Sequence, residues 1–152
     1  MWRKIASGVA ITSVMMTLAA GPLGASSFVK KAAKRYLADV TPVNLALGRF
    51  ATDAGHWGSS TTQSTVTKQT EPAIAALRKL QNELIGQTWP RKSRSDVRKL
   101  IAGISPLVAD LMSLLSITNV DVSTFSTKFD TDLSNLHTDV NFVRHDLGLK
   151  LR

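Results

Sequence analysis

The amino-acid sequence predicts an all-α protein: an up-down-up-down antiparallel four-helix bundle with proline kinks, preceded by an N-terminal signal peptide helix. Three observations lead to this fold class. In four segments, apolar residues recur at alternating spacings of three and four, which is the pattern of an amphipathic helix. No segment sustains the period of two that a half-buried strand requires. The breaks between segments are short, so consecutive helices should be antiparallel neighbours.

The first 26 residues have the order of regions of a secretory signal peptide. Arg3 and Lys4 precede an uncharged, largely apolar run over 5–20, and Gly21-Pro22 is followed by small residues that suit a signal peptidase. An uncleaved membrane anchor is the alternative, although 16 residues are fewer than the roughly 20 that a spanning helix needs.

We expect cleavage after Ala25 or Ser26, which assigns 1–26 to the signal peptide and 27–152 to the bundle. The protein would then be secreted or associated with the cell envelope. The sequence contains no cysteine, which excludes a lipoprotein anchor, disulfides, thiolate metal sites and a cysteine nucleophile. Loss of the two basic residues of the signal peptide changes the net charge from +8 to +6.

Each helical segment carries one apolar stripe, and we expect the four stripes to form the core. The stripes are Val29, Ala33, Tyr36, Val40, Val43, Leu47, Phe50, Ala54 and Trp57; Val66, Thr70, Ala73, Leu77, Leu80 and Leu84; Val97, Ile101, Ile104, Val108, Leu111 and Leu115; and Val122, Phe125, Phe129, Leu133, Leu136, Val140, Val143 and Leu147.

The segments are separated by residues that favour turns and helix caps. The expected ends and caps are, in order, Gly55 and Gly58; a capped, flexible connection over 59–70; Gly86 with Trp89-Pro90; Ser93 or Ser95; Thr118-Asn119 with Asp121 or Ser123; and a left-handed stop at Gly148, after which Leu149 folds back.

Three prolines interrupt the helical pattern without changing its phase. Thr41 followed by Pro42 has the form of an N-cap and a first-turn proline, so we expect two collinear helices or one helix kinked at this point. Pro72 offers the same choice, with Thr70 as the cap, and Pro106 should bend the third helix.

Three further residues have local interpretations. Asn44, three residues after Thr41, should close a capping box rather than contact a ligand. Trp57 and Trp89 end the first and second helices and should cover opposite ends of the core.

The side chains that metal and catalytic sites need do not occur at the required spacings. Glutamate occurs only twice, which is too few for a di-metal bundle, and Asp53-x-x-His56 is isolated. His137, Asn141 and His145 form a stripe that we interpret as solvated rim positions. The sequence has no nucleophile elbow and no glycine-rich phosphate loop. We therefore expect no enzymatic activity, no metal and no cofactor.

The cations are distributed unevenly along the predicted bundle. The end where the mature chain starts collects twelve cations against four carboxylates, a net charge of about +8, and the opposite end carries about −3. Nine of the twelve lie at or close to helix N-termini, where the helix macrodipole disfavours positive charge. These nine are the candidate residues for binding an anionic partner: Lys30, Lys31, Lys34, Arg35, Arg91, Lys92, Arg94, Arg98 and Lys99.

Several interpretations of the chain stay open. The cations form either an ordinary solvated surface or a binding surface for an anionic membrane, a cell-wall polymer or another envelope protein. Nucleic acid is not expected, because the chain is predicted to be exported and the cations lack interleaved aromatic residues. The alternative function is a secreted protein-binding or inhibitor module that acts through a helical face. A small-ligand carrier is a third hypothesis, although the apolar stripes leave little interior room.

The signal peptide, the run 38–44 (ADVTPVN), the Trp89-Pro90 turn that leads into Asp96-Val97-Arg98, and the tail 143–149 (VRHDLGL) carry a family resemblance. The chain resembles small exported α-helical proteins of unknown function from high-GC Gram-positive bacteria. This resemblance implies an envelope or extracellular setting and no activity. Many such proteins carry a lipobox cysteine, which this sequence lacks.

Overall fold

The computed structural model describes residues 26–58, 60–116 and 122–151, and within these ranges the chain forms helices and no strand. The helices are α1 (Ser27–Gly55), α2 (Gln63–Gly86), α3 (Arg94–Ser113) and α4 (Val122–Asp146). The all-α prediction and the four helices are confirmed. Three predicted features lie outside the described residues: the signal peptide up to the cleavage position after Ala25, the Thr118-Asn119 break and the cap at Asp121.

The predicted apolar stripes of α1 and α2 form the centre of the core. In α1 every stripe residue from Ala33 to Ala54 is buried, and Trp57 closes the row; in α2 the whole stripe from Val66 to Leu84 is buried. Trp57 and Trp89 are 6% and 5% exposed. Their predicted burial is therefore confirmed.

The prediction for α3 was incomplete. Leu100 and Leu107, which lie outside the predicted stripe, are fully buried, whereas Ile101 and Leu115 of the stripe are only partly buried. The reason is position: α3 packs against both α2 and α4, so it buries a wider face than one stripe provides.

Side-chain contacts define which segments of the helices lie side by side. Between α1 and α2, Trp57 Nε1 lies 2.6 Å from Gln69 Oε1, and Asp39 Oδ2 lies 2.6 Å from Nε2 of Gln87, the residue after α2. Between α2 and α3, Gln81 Nε2 lies 2.9 Å from Ser105 Oγ. Between α1 and α4, the ring centroids of Phe50 and Phe129 are 5.7 Å apart. The end of α1 therefore lies beside the beginning of α2, and α1 meets α4 across the core.

The helices continue through their prolines. α1 is one helix that contains Pro42, which agrees with the single-helix alternative and excludes two collinear helices. The caps predicted at Thr41 and Asn44 were therefore wrong. Thr41 Oγ1 instead donates a hydrogen bond to Leu37 O within the same helix, at 2.7 Å. Pro42 is exposed, so its ring lies on the solvent side, where a helix tolerates a lost backbone hydrogen bond best.

α2 repeats this arrangement. It contains Pro72, and Thr70 Oγ1 is buried and donates to Val66 O at 2.7 Å, so the cap predicted at Thr70 was wrong. The N-cap is Thr62, whose hydroxyl accepts the Thr65 N–H at 3.2 Å. The flexible connection predicted over 59–70 was therefore wrong from residue 63 onward, because a serine- and threonine-rich segment can carry a helix once its first turn is capped.

The remaining caps follow the prediction in part. Ser93 is the N-cap residue of α3, but its buried hydroxyl donates to Pro90 O at 3.1 Å instead of accepting from the helix. Ser123 lies inside α4, so the cap predicted there was wrong. Gly148 has φ 68°, which confirms the predicted left-handed stop, and Leu149 beyond it is buried.

A cluster of charged side chains joins α3 to α4. Asp110 is 5% exposed and accepts a hydrogen bond from the Lys128 ammonium, which also lies 3.1 Å from Asp132 Oδ2. Burial raises the pKa of Asp110, and the hydrogen bond from Lys128 opposes this shift. The hydrogen bond to Asp110 raises the pKa of Lys128. The cluster is an ion pair that spans two helices, and it stabilises their contact only while both partners are present.

Asp139 of α4 lies beside Gly103 of α3. A Cβ atom built on Gly103 would be 3.0 Å from Asp139 Oδ2, so a side chain at position 103 would require this carboxylate to shift by a few tenths of an ångström. Burial raises the pKa of Asp139, which Lys99 partly counteracts.

We expect Asp139→Asn to increase the free energy of unfolding at pH 7 and to leave it unchanged at pH 3. The folded pKa of Asp139 lies above its ordinary value of 3.8, so ionisation costs the folded state stability as the pH rises from 3.8 through the folded pKa. Asparagine fits the same space and does not ionise. Urea unfolding of both proteins at the two pH values measures the difference; an equal difference at both would contradict this assignment.

Candidate functional site

The nine predicted cations are all exposed. They fall into two groups, which together we call the basic end. The first group lies in the first turns of α1 and consists of Lys30, Lys31, Lys34 and Arg35. The second group lies in the α2–α3 connection and the first turns of α3 and consists of Arg91, Lys92, Arg94, Arg98 and Lys99.

The first group is positioned by the start of α1. Ser26 is the N-cap, and its Oγ accepts the Val29 N–H at 3.3 Å. Ala33 and Tyr36 are buried on the face of α1 that packs against the core. The four cations of the first group are exposed and therefore lie on the other face. The first turn of α1 contains no acidic residue. The positive end of the macrodipole and the positive side chains therefore coincide.

The second group is positioned by a tight connection around Trp89. The indole Nε1 of Trp89 donates to Leu84 O at 2.8 Å, and Arg94 Nε donates to Trp89 O at 3.0 Å. These bonds fix the backbone between α2 and α3. Arg91 and Lys92 consequently project from a short, ordered turn.

The two groups meet through buried aromatic rings. The rings of Tyr36 and Trp89 pack edge to face, with centroids 6.4 Å apart. Lys92 Nζ lies 3.4 Å from Asp146 Oδ1, which adds the end of α4 to the same region. Lys99 lies further along α3, with Nζ 5.7 Å from the ring centroid of Phe142 in α4. The basic end therefore includes the beginning of α1, the α2–α3 connection and the flank between α3 and α4.

Most of these cations have no carboxylate partner. Lys92 pairs with Asp146, and Lys99 pairs with Asp96 at 3.0 Å. Within the described part of the chain, the other seven form no ion pair. Because internal pairing does not neutralise them, their field extends into solvent and acts on external anions.

Arg144 is one of the three cations of this end that lie near or after the end of the fourth helix and are not among the nine candidates. Its burial was not predicted from the sequence. Arg144 is 5% exposed, its Nε donates to Lys150 O at 2.8 Å, and its carbonyl accepts the Leu149 N–H at 2.8 Å. Its charge acts on Tyr36, whose hydroxyl is buried without a hydrogen-bond partner. Burial raises the pKa of Tyr36, and Arg144 partly opposes this shift. The signal was present in the sequence, because residue 144 follows Val140 by four positions on a helix.

Other candidate features lie outside the basic end. Among the described residues, no group of three or more His, Asp or Glu side chains is arranged to hold a metal ion, and His137 and His145 are exposed. An open groove of about 830 Å³ lies between α1 and α2, and its lining includes Leu45, Arg49 and Lys68. This groove is on the outer face and not in the bundle interior.

Comparison with protein-family models, curated proteins and solved structures finds no significant match to this chain. In the described part of the chain, no helix combines the length and the apolar character needed to cross a bilayer. The basic end is thus characterised by its own geometry and charge.

Proposed function

We propose that the protein is an exported, non-enzymatic helical bundle whose basic end associates with an anionic envelope component, either lipid head groups or a wall polymer. The observation that carries this proposal is a set of seven exposed cations around the starts of α1 and α3 that form no ion pair with any residue the structure describes. The predicted signal peptide and the resemblance to exported proteins of high-GC Gram-positive bacteria agree with it.

We also propose the up-down-up-down arrangement, with 1–26 as the signal peptide. The contacts of Trp57 with Gln69 and of Gln87 with Asp39 support alternating helix directions. Ser26 is the N-cap of α1, so of the two expected cleavage positions the one after Ala25 keeps this cap in the bundle. This arrangement brings the two groups of cations to one end.

Some of these cations lie in the first turns of helices, where the helix macrodipole disfavours positive charge. Each exposed positive charge in the first turn of a helix costs roughly 0.3–1 kcal/mol, and an acidic residue there would be stabilising instead. The chain nevertheless has Lys30 at the start of α1 and Arg94 at the start of α3. An anionic surface at this end offsets that cost, since each Lys or Arg near an anionic membrane contributes about 1 kcal/mol.

Salt dependence tests the proposal. Sedimentation of the exported protein with phosphatidylglycerol vesicles and with cell-wall preparations should show bound fractions that fall steeply between about 0.05 and 0.5 M NaCl, because screening weakens long-range attraction. Changing Arg91, Lys92, Arg94, Arg98 and Lys99 together to Glu should abolish binding, with circular dichroism as the check on folding. Binding to both materials that is indifferent to salt would remove the proposal.

The groove between α1 and α2 favours a second candidate, a protein-binding or inhibitor module that acts through a helical face. Leu45 is 61% exposed in this groove, beside the rings of Pro42 and Pro72. Such a module would lose its protein partner on Leu45→Glu and keep it in the five-site charge variant. Loss of the partner in the five-site charge variant, with binding retained by Leu45→Glu, supports the basic end instead.

A further inference from the structure

The large apolar side chains that the structure leaves exposed are concentrated near the basic end. Among the residues whose side chains the structure describes, six are of this kind: Phe28, Leu45, Ile85, Met112, Phe142 and Leu151. Phe28 lies in the first turn of α1, Ile85 in the last turn of α2, and Phe142 and Leu151 in and after the last turns of α4. Four of the six therefore belong to segments that form the basic end.

Three of these side chains adjoin cations directly. Phe28 precedes the exposed Lys31 by three residues in α1, a spacing that makes their side chains neighbours on the helix surface. Leu151 follows the exposed Lys150, and the Lys99 ammonium lies 5.7 Å from the ring centroid of Phe142. Phe28, Phe142 and Leu151 are 45%, 50% and 53% exposed. A single exposed apolar residue is ordinary on a protein surface, but three beside exposed cations are a combined feature.

This combination discriminates between the anionic partners. A soluble phosphate polymer offers charge and hydrogen-bond acceptors, so it gains nothing from a half-exposed phenylalanine. A bilayer interface offers anionic head groups above an acyl boundary, and surfaces that mix Lys and Arg with Phe and Leu bind it through both. A second copy of the chain fits poorly, since face-to-face contact would bring like charges together.

We propose that the basic end docks on an anionic lipid bilayer, with Phe28, Phe142 and Leu151 inserting at the level of the head groups and upper acyl chains. This inference rests on the proposed function and names its partner. The cations supply long-range attraction, and the three apolar side chains supply the part of the affinity that salt does not screen.

The test compares vesicles with a polymer that has no apolar layer. The triple variant Phe28→Ser, Phe142→Ser, Leu151→Ser should bind phosphatidylglycerol vesicles on the order of a hundredfold more weakly than wild type, since each half-exposed side chain accounts for about threefold to tenfold. Its binding to soluble polyphosphate should be unchanged. The control Leu45→Ser, Met112→Ser removes exposed apolar side chains outside the basic end and should bind vesicles like wild type.

Site-specific labelling gives a second readout that does not depend on deleting side chains. Because the chain has no cysteine, Leu151→Cys and Leu45→Cys each accept one environment-sensitive nitrobenzoxadiazole label. Emission from position 151 should shift to shorter wavelength with phosphatidylglycerol vesicles and not with polyphosphate. Emission from position 45 should not shift.

The outcomes separate this inference from the proposed function. Wild-type vesicle binding by the triple variant, or no shift at position 151 on bound vesicles, overturns insertion while salt-sensitive binding still supports the proposed function. Binding of wild type to polyphosphate and vesicles that is indifferent to salt overturns the proposed function and this inference with it.

Discussion

Replacing Phe129 with alanine is expected to lower the free energy of unfolding by about 3–5 kcal/mol, the range for truncating a buried phenylalanine. The Phe129 ring is 1% exposed and lies between Phe50 and Phe125, at centroid distances of 5.7 and 5.3 Å. Truncation removes the ring contact between α1 and α4 and leaves a cavity that rigid helices fill poorly. Urea denaturation followed by circular dichroism measures the loss.

The same helix offers a matched control. Phe142 lies on α4 and is 50% exposed, so Phe142→Ala should cost less than about 1 kcal/mol. Equal losses for the two variants would mean that the α1–α4 contact does not hold the bundle together.

Changing Lys30, Lys31, Lys34 and Arg35 together to glutamate is expected to move binding and stability in opposite directions. Each cation removed from an anionic membrane costs about 1 kcal/mol, so affinity for phosphatidylglycerol vesicles should fall by about 10³-fold or more. Carboxylates in the first turn of α1 suit the helix macrodipole, and the free energy of unfolding should rise by roughly 0.5–1 kcal/mol. Vesicle sedimentation and urea denaturation measure the two quantities.

The control makes the same change in net charge elsewhere. Arg49, Lys68, Arg78 and Lys79 are exposed on α1 and α2, outside the basic end, and their replacement by glutamate should weaken vesicle binding much less. Equal losses in the two variants would show that net charge alone governs association, and unchanged binding of the first variant would exclude its cations from the site.

The four helices could be predicted because the apolar residues that become buried recur at alternating spacings of three and four along the sequence. The sequence predicted local caps poorly, because Thr41 and Thr70 have two options with the same residue types. A threonine hydroxyl can cap a new helix or bond back to the carbonyl four residues earlier, and the choice depends on whether the proline ring beside it faces solvent. That orientation follows from packing between helices, which no local pattern contains.

The candidate site also has some features that could be predicted from the sequence and others that could not. The nine cations could be identified from residue type and helix order, since charged side chains at helix starts are exposed. The burial of Arg144 could have been inferred from its spacing after Val140, but its proximity to Tyr36 and its bond to Lys150 O at 2.8 Å could not, because that bond depends on the turn at Gly148. The apolar side chains among the cations were likewise invisible, since Phe28 and Phe142 match the composition of a core.

The proximity of Tyr36, Trp89 and Arg144 has a practical consequence for handling the protein. Any fusion attached before Ser26 or after Leu151 leaves the fold on the side that carries the cations, so an affinity tag or a sensor-chip linkage at either terminus would sit over the surface under test. In the proposed up-down-up-down arrangement, the turn at 56–58 that follows α1 lies at the opposite end. Attachment there would present the lysines and arginines outward and leave them unobstructed.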